Sequence, residues 1–402
     1  MKQFLRVGFV AVMATIAAVP AQAENFETFA EWCANKDRLH PEVRHTIEVL
    51  LYHPSEDCDL AEARLMSRNS LWLENRQITN LEPLASLTHL NELKLNYNQI
   101  SNLEPLSRLT NLNHLELNSN HIKNLEPLSS LTNLRELQLT RNPILTTQPL
   151  ASISSLRRLY LGRMPSVPDL EPLAALTNLN QLHLEFNQLT TVEPLARLTN
   201  LTRLDLGFNK IENIEPLSGL NNLRELGLDY NEIGDVKPLG NLTNLTQLTL
   251  GGNTISELSP LESMNKLTTL RLNDNKISDL EPLAHLINLE NLSLENNQIS
   301  DVEPLAALTN LMGLGLDNNQ IANVEPLASL TNLFGLRLDD NEIVEVEPLA
   351  SLTDLTYLFL RNNQIRDADS LSNLSNLRWL YLTGNPLDDR TCPLQPETIC
   401  KP

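Results

Sequence analysis

The sequence holds 402 residues with 50 acidic against 30 basic side chains, a formal charge of -20. So negative a body repels phosphate backbones and anionic lipid surfaces, which excludes nucleic acid as an expected partner. Only four cysteines are present, and no catalytic or phosphate-binding signature such as a Gly-rich loop, Gly-x-Ser-x-Gly or His-Glu-x-x-His occurs, so an enzyme is not expected and no cofactor is implied.

In chain order, Lys2 and Arg6 precede an apolar run from Val7 to Val19 and then Pro20-Ala21-Gln22-Ala23. This reads as a secretory signal peptide over residues 1–23, cut after Ala23; its apolar run falls short of the ~20 residues that span a bilayer. Losing Lys2 and Arg6 would take the charge from -20 to -22. The expectation is an exported protein, secreted or periplasmic, with no membrane insertion.

Residues 24–70 carry Phe26, Phe29 and Trp32, then Val43, Ile47, Leu50 and Leu51, at helical spacings, with Pro41 at a helix start after His40. They read as a helical cap in two pieces tied by a Cys33–Cys58 bridge. Cys392 and Cys400 pair within a second cap, residues 388–402. An even number of cysteines grouped at the two ends favours disulfides over a metal site. His40, His45 and His53 match no ligand spacing, and no metal is expected there.

Between the caps, residues 71–387 repeat a 22-residue unit about fifteen times. Leu93-Lys94-Leu95-Asn96-Tyr97-Asn98-Gln99-Ile100 leads through Glu104-Pro105-Leu106 to Leu109-Thr110-Asn111-Leu112, and the cycle restarts at Leu115. Such periods build stacked coils. The Leu-x-Leu pair alternates with polar residues as a half-buried strand does, and stacking at ~4.8 Å makes one parallel sheet. The asparagine of each unit (Asn98, Asn120, Asn142 and so on) carries donor and acceptor, so it can satisfy backbone groups where the chain leaves the strand. Proline at the return fits the first position of a short helical turn. Arg76 and Met164 fill the asparagine slot in two irregular units, and Met164-Pro165-Ser166-Val167-Pro168 adds one residue, a break that reads either as a repair after an insertion or as a bend in the stack or an outward loop. Glutamates before the prolines, Glu104 among them, form an acidic ridge that solubility and helix polarity explain.

The Leu-x-Leu-x-x-Asn-x-Ile motif with Pro-Leu-x-x-Leu-Thr-Asn-Leu returns resembles the leucine-rich repeats of bacterial internalins, over about four-fifths of the chain. The resemblance implies an α/β repeat fold: a curved leucine-rich-repeat solenoid with a parallel concave β-sheet and short helical or 3-10 convex turns. It also implies a secreted or surface protein that binds a protein partner through the concave face. No immunoglobulin-like segment, wall-anchoring motif or wall-binding module is recognisable, so a host-invasion role is not expected.

Eleven aromatics lie between residues 71 and 387, and all but Phe334 occupy positions flanking the strand leucines. Strand propensity favours such residues, but their grouping in two clusters points to contact sites. In the first, Phe186, Phe208 and Tyr230 hold one equivalent position in consecutive coils, a ladder with Tyr160 one coil upstream. Arg141, Arg158 and Arg163 stand beside it, and Asp205 and Asp229 flank it. Arginine with aromatics is the composition of binding hot spots. The second cluster is Tyr357, Phe359, Trp379 and Tyr381, where a contact site competes with capping by the C-terminal tail folded over the rings. Between them Asp274, Glu295, Asp317, Asp339 and Asp340, with Arg271, Arg337 and Arg361, read as a solvated strip suited to a basic partner; converging oxygens for calcium are not evident. The expected function is noncatalytic recognition of a protein ligand on the concave sheet, with glycan binding through the aromatics as the alternative.

Overall fold

The computed structural model describes residues 26–164, 169–389 and 391–401. The signal-peptide reading and the Pro165–Pro168 part of the irregular turn lie outside them.

Three helices open the described chain: α1 (Phe29–Ala34), α2 (Pro41–Leu50) and α3 (Cys58–Met66). A capping box starts α1, with the Thr28 hydroxyl accepting from Glu31 N at 3.2 Å and the Glu31 carboxylate accepting from Thr28 N at 3.3 Å. Pro41 opens α2, as its fixed φ favours. The Cys33–Cys58 disulfide forms, but it ties α1 to α3 rather than to α2, so the two-piece reading of this region is corrected to three. The missed helix buries only Ala61 and Leu65, too sparse a stripe for periodicity to expose. Against the first coil, α2 sets Thr46 Oγ1 on Asn80 O at 2.7 Å and His45 Nε2 on Arg76 O at 2.7 Å.

Arg64 holds Glu56 through two hydrogen bonds of 3.0 and 2.9 Å, which with the Tyr52 amide keeps the Glu56 carboxyl below its ordinary 4.5. A lowered folded pKa contributes stability above the unfolded value and loses it as pH falls through the folded one. Glu56→Gln should therefore lower the melting temperature more at pH 7 than in acid, as thermal melts across the acid range would show.

Sixteen strands, numbered β1 to β16 in chain order among the described residues, pair in sequence order as one parallel sheet. They run from β1 (Ser70–Trp72) to β15 (Trp379–Tyr381), followed by β16 (Cys400–Lys401). Each coil returns through a 3-10 turn such as Glu104–Arg108, with Pro105 at its start. Leu106, Leu109 and Leu112 and their equivalents close the coil opposite the strand leucines, and both sets are fully buried.

The asparagine column sews the coils together. Asn98 Nδ2 donates to Leu95 O in its own coil and to Leu73 O in the coil before, both at 2.9 Å. Its Oδ1 accepts from Arg76 N and Ile78 N, both at 3.0 Å. Two further columns were not anticipated. Asn102 Oδ1 and its equivalents accept the amide that opens most of the 3-10 turns, and Asn111 Nδ2 and its equivalents donate to the carbonyl of Thr88 and its counterparts one coil back.

The irregular unit does not break the sheet. β5 (Arg158–Tyr160) pairs with β6 (Gln181–His183) with Leu159 opposite Leu182, so the extra residue is absorbed after the strand. Asn187 bridges the gap left by Met164, donating to Leu161 O at 2.7 Å and accepting from Met164 N at 2.8 Å. At the far end the Cys392–Cys400 bridge forms, and β16 pairs with β15, Leu380 opposite Cys400. The tail extends the sheet edge by one strand, so capping here takes the form of an added strand beside β15.

Candidate functional site

Register converts the repeat into columns on the concave face. One column runs Glu136, Arg158, Gln181, Arg203 and Glu225; the next runs Gln138, Tyr160, His183, Asp205 and Gly227. A third follows the second strand leucine, with Gly162, Glu185, Gly207 and Asp229. The fourth precedes the asparagine, with Arg141, Arg163, Phe186, Phe208 and Tyr230. Its non-glycine members take left-handed backbone: φ is 60° at Arg141, 58° at Arg163, 59° at Phe186, 57° at Phe208 and 52° at Tyr230. Further along, the same column uses Gly252, Asp274, Asn296, Asn318, Asp340 and Asn362. Glycine and Asn/Asp suit that conformation, whereas a bulky residue costs about 1–2 kcal/mol there.

Arg163, Phe186, Phe208 and Tyr230 form one continuous stack. The Arg163 guanidinium lies 3.8 Å from the Phe186 centroid. Phe186 and Phe208 are 4.2 Å apart at 7°, and Phe208 and Tyr230 are 4.5 Å apart at 21°. The ladder ends where Gly252 lacks a side chain: a Cβ there would meet the Tyr230 ring at 2.5 Å. Phe208 and Tyr230 remain 43% and 46% exposed. Ring faces are thus covered by one another, by Arg163 and by Gly252, and the ring edges meet solvent.

The other residues named with the ladder lie outside this stack. Tyr160 belongs to the second column and stacks on His183 at 4.5 Å and 13°. Arg158 is held by Glu136, with Nε to Oε2 at 2.7 Å. Asp229 accepts from Gly251 N at 2.9 Å and from the Thr249 hydroxyl, so it is satisfied within the sheet. Asp205 accepts from Gly207 N at 3.0 Å and turns its second oxygen toward His183. Arg141 is exposed in the same column, one coil upstream of Arg163.

In the second cluster Tyr357 stacks on Trp379 and Phe359 on Tyr381, both at 4.8 Å. Phe334, set apart by sequence position, meets Tyr357 edge-on at 5.1 Å and joins this cluster. Upstream, Gly313, Gly315 and Gly335 floor a depression of about 620 Å³ walled by Tyr357 and Phe359. The acidic strip is solvated only in part: Asp340 is exposed and Asp274 and Glu295 are half-buried. Asp317 and Asp339 are buried and paired, Asp317 with Arg337 at 2.6 Å and Asp339 with Arg361 at 2.8 Å.

One convergence escaped the sequence reading. His183, Glu185 and Asp205 bring ligand-type atoms within 4.8 Å of one another. His183 and Glu185 are two residues apart on one side of the sheet, and Asp205 is the registered neighbour of His183 one coil on. The signal was there in the spacing i, i+2, i+22. Burial pushes the Glu185 carboxyl up and the His183 imidazole down.

Comparison with known proteins agrees with this architecture. Family models described as leucine-rich repeats match residues 110–152, overlapping pairs of repeats from 177 to 329, and 331–387. An internalin (InlF) of Listeria monocytogenes is similar at 37% identity and a TM-score of 0.70, over 74% of this chain and 88% of that one. A leucine-rich repeat protein of Leptospira interrogans is similar at 25% identity and TM-score 0.71, over 82% and 93%. The internalin InlJ of Listeria monocytogenes shares the fold at 23% identity and TM-score 0.75, over 91% and 77%. No curated protein matches the sequence. The chain belongs to the leucine-rich repeat family and is internalin-like in its repeats. Proteins of this family are generally protein-binding scaffolds without catalytic activity. No helix among the described residues is long and apolar enough to cross a membrane.

Proposed function

We propose that this protein is an exported, noncatalytic scaffold that captures a protein partner on its concave sheet, centred on Arg163, Phe186, Phe208 and Tyr230. The observation that carries this reading is the ladder's backbone. Phe186, Phe208 and Tyr230 sit in a left-handed conformation that Gly, Asp and Asn occupy in the coils downstream in the same column, from Gly252 to Asn362. Stacking offsets about 0.5–1.5 kcal/mol per pair, close to the local strain it accompanies, so fold stability alone gives little reason for aromatics here. Half-exposed aromatics beside an arginine are what protein hot spots use. Leader-like residues 1–23 and two disulfides support export.

Ring geometry favours a protein over a glycan. Sugar rings pack on open aromatic faces, and in this ladder the faces are already taken, leaving edges. Phe208→Asn combined with Tyr230→Asn imports the chain's own solution for this column, as at Asn296 and Asn318. The double variant should keep the wild-type melting temperature within a few degrees and lose at least tenfold in partner retention, about 1.4 kcal/mol or more. Affinity capture from the native organism, repeated with the purified partner, reads this out. Equal retention by both proteins would rule the centre out.

A further inference from the structure

A second cluster on the same face explains why the His183 group stands out. His114, Glu116 and Glu136 have the same arrangement: two residues apart on one coil, then the registered neighbour on the next. There every carboxylate has a cation from the protein. Lys94 Nζ lies 3.0 Å from Glu116 Oε1, and Arg158 Nε lies 2.7 Å from Glu136 Oε2. Amides complete the shell, with Gln138 Nε2 donating to Glu136 at 2.8 Å.

His183, Glu185 and Asp205 repeat the pattern without the cations. Among the described residues no lysine or arginine lies within salt-bridge distance of Glu185 or Asp205. The nearby guanidiniums are committed elsewhere, Arg163 on Phe186 and Arg203 on Glu225 at 2.9 Å. The undescribed residues of that coil, Pro165-Ser166-Val167-Pro168, carry no charge. Glu185 Oε2 is a buried oxygen with no hydrogen-bond partner, the one carboxylate oxygen so placed among the described residues. Gly162 makes room for it: a Cβ at Gly162 would collide with Glu185 Oε1. Gly227 gives Asp205 the same room, with a Cβ position 2.9 Å from Asp205 Oδ1.

We propose that His183, Glu185 and Asp205 bind a divalent transition-metal ion, zinc or one of its size, at the foot of the aromatic ladder. His183 Nδ1 lies 4.0 Å from both Glu185 Oε2 and Asp205 Oδ2. Zinc bonds of about 2.1 Å draw tetrahedral ligand atoms to roughly 3.4 Å apart, so each side chain has less than ~1 Å to move. The Tyr160 ring stacked on His183 holds the imidazole plane. Two carboxylates balance the ion's charge, and the concave side leaves a position for water or a partner's ligand atom. One nitrogen and two carboxylates fall short of the six to eight oxygens calcium takes, so calcium is not the expected ion.

The test needs no partner and stands apart from the recognition reading. Untagged protein lacking residues 1–23, stripped with chelator, is titrated calorimetrically with zinc and, separately, followed by visible absorption with cobalt. One equivalent should bind, with a cobalt band, and excess calcium should not displace it. His183→Asn and Glu185→Gln should each weaken zinc by tenfold or more, since even outer-shell changes cost about 10–100-fold. His114→Ala should bind as wild type, and circular dichroism checks that each variant is folded. No zinc binding by the wild type, equal affinity in the folded His183→Asn and Glu185→Gln variants, or loss with His114→Ala would overturn the assignment.

Discussion

Asn209→Ala should destabilise the protein by at least ~3 kcal/mol, a larger loss than any exposed substitution on the same coil. Asn209 is buried, and its amide donates to Leu184 O at 3.0 Å and Leu206 O at 2.8 Å while accepting from Asn187 N and Leu189 N, both at 3.0 Å. Alanine leaves buried backbone groups on two coils unsatisfied, each costing about 1–3 kcal/mol. Solvent has little access to them, since Asn209 is 8% exposed and Leu184, Leu189 and Leu206 are buried. Stacked repeats draw stability from nearest-neighbour interfaces, so damage at this central coil weakens coupling in both directions. Denaturant unfolding should show a lower midpoint, and hydrogen exchange should show faster opening around residues 184–211. The control is Asn213→Ala, which removes only the exposed cap on Glu215 N and should cost about 1 kcal/mol or less.

Replacing Cys33 and Cys58 together by alanine should cost about 3 kcal/mol, the cross-linking entropy of a 25-residue separation. The consequence reaches beyond the cap. With α1 untied from α3, α2 loses its backing, and its bonds from Thr46 to Asn80 and from His45 to Arg76 loosen at the first coil. Leu71, Leu73 and Ile78 would then face water, so the array should fray from that end. Hydrogen exchange is expected to rise in residues 70–84 and to stay unchanged near residue 300. Removing Cys392 and Cys400 opens a shorter loop, with a separation of 8, and should cost less.

What the sequence made legible follows the range of the interactions. A repeat of 22 residues brings registered neighbours together at every step, so the strand leucines, the asparagine column and the aromatic ladder could all be placed by counting. The same counting separates Tyr160, four residues before the Met164 slot, from Phe186, one residue before Asn187; treating them as one ladder confused two columns. Phe334 was set apart by its position in the repeat, and the edge-on contact that joins it to Tyr357 crosses columns, which counting does not reveal. Exposure at two positions of the acidic strip was misread for another reason. Whether Asp317 and Asp339 meet solvent depends on Arg337 and Arg361 folding back across coils, which composition does not reveal. The third helix buried too little to announce itself, and the His183 group needed two spacings read at once.

Position 208 offers the most direct measurement on the central claim. A photoreactive phenylalanine derivative placed there in the exporting organism, then irradiated, should join the protein to one discrete protein species. The same derivative at position 197, in the convex turn Glu193–Arg197, should not yield that species. Identical adducts from both positions, or none from position 208 while the partner is still captured, would contradict recognition on the concave ladder.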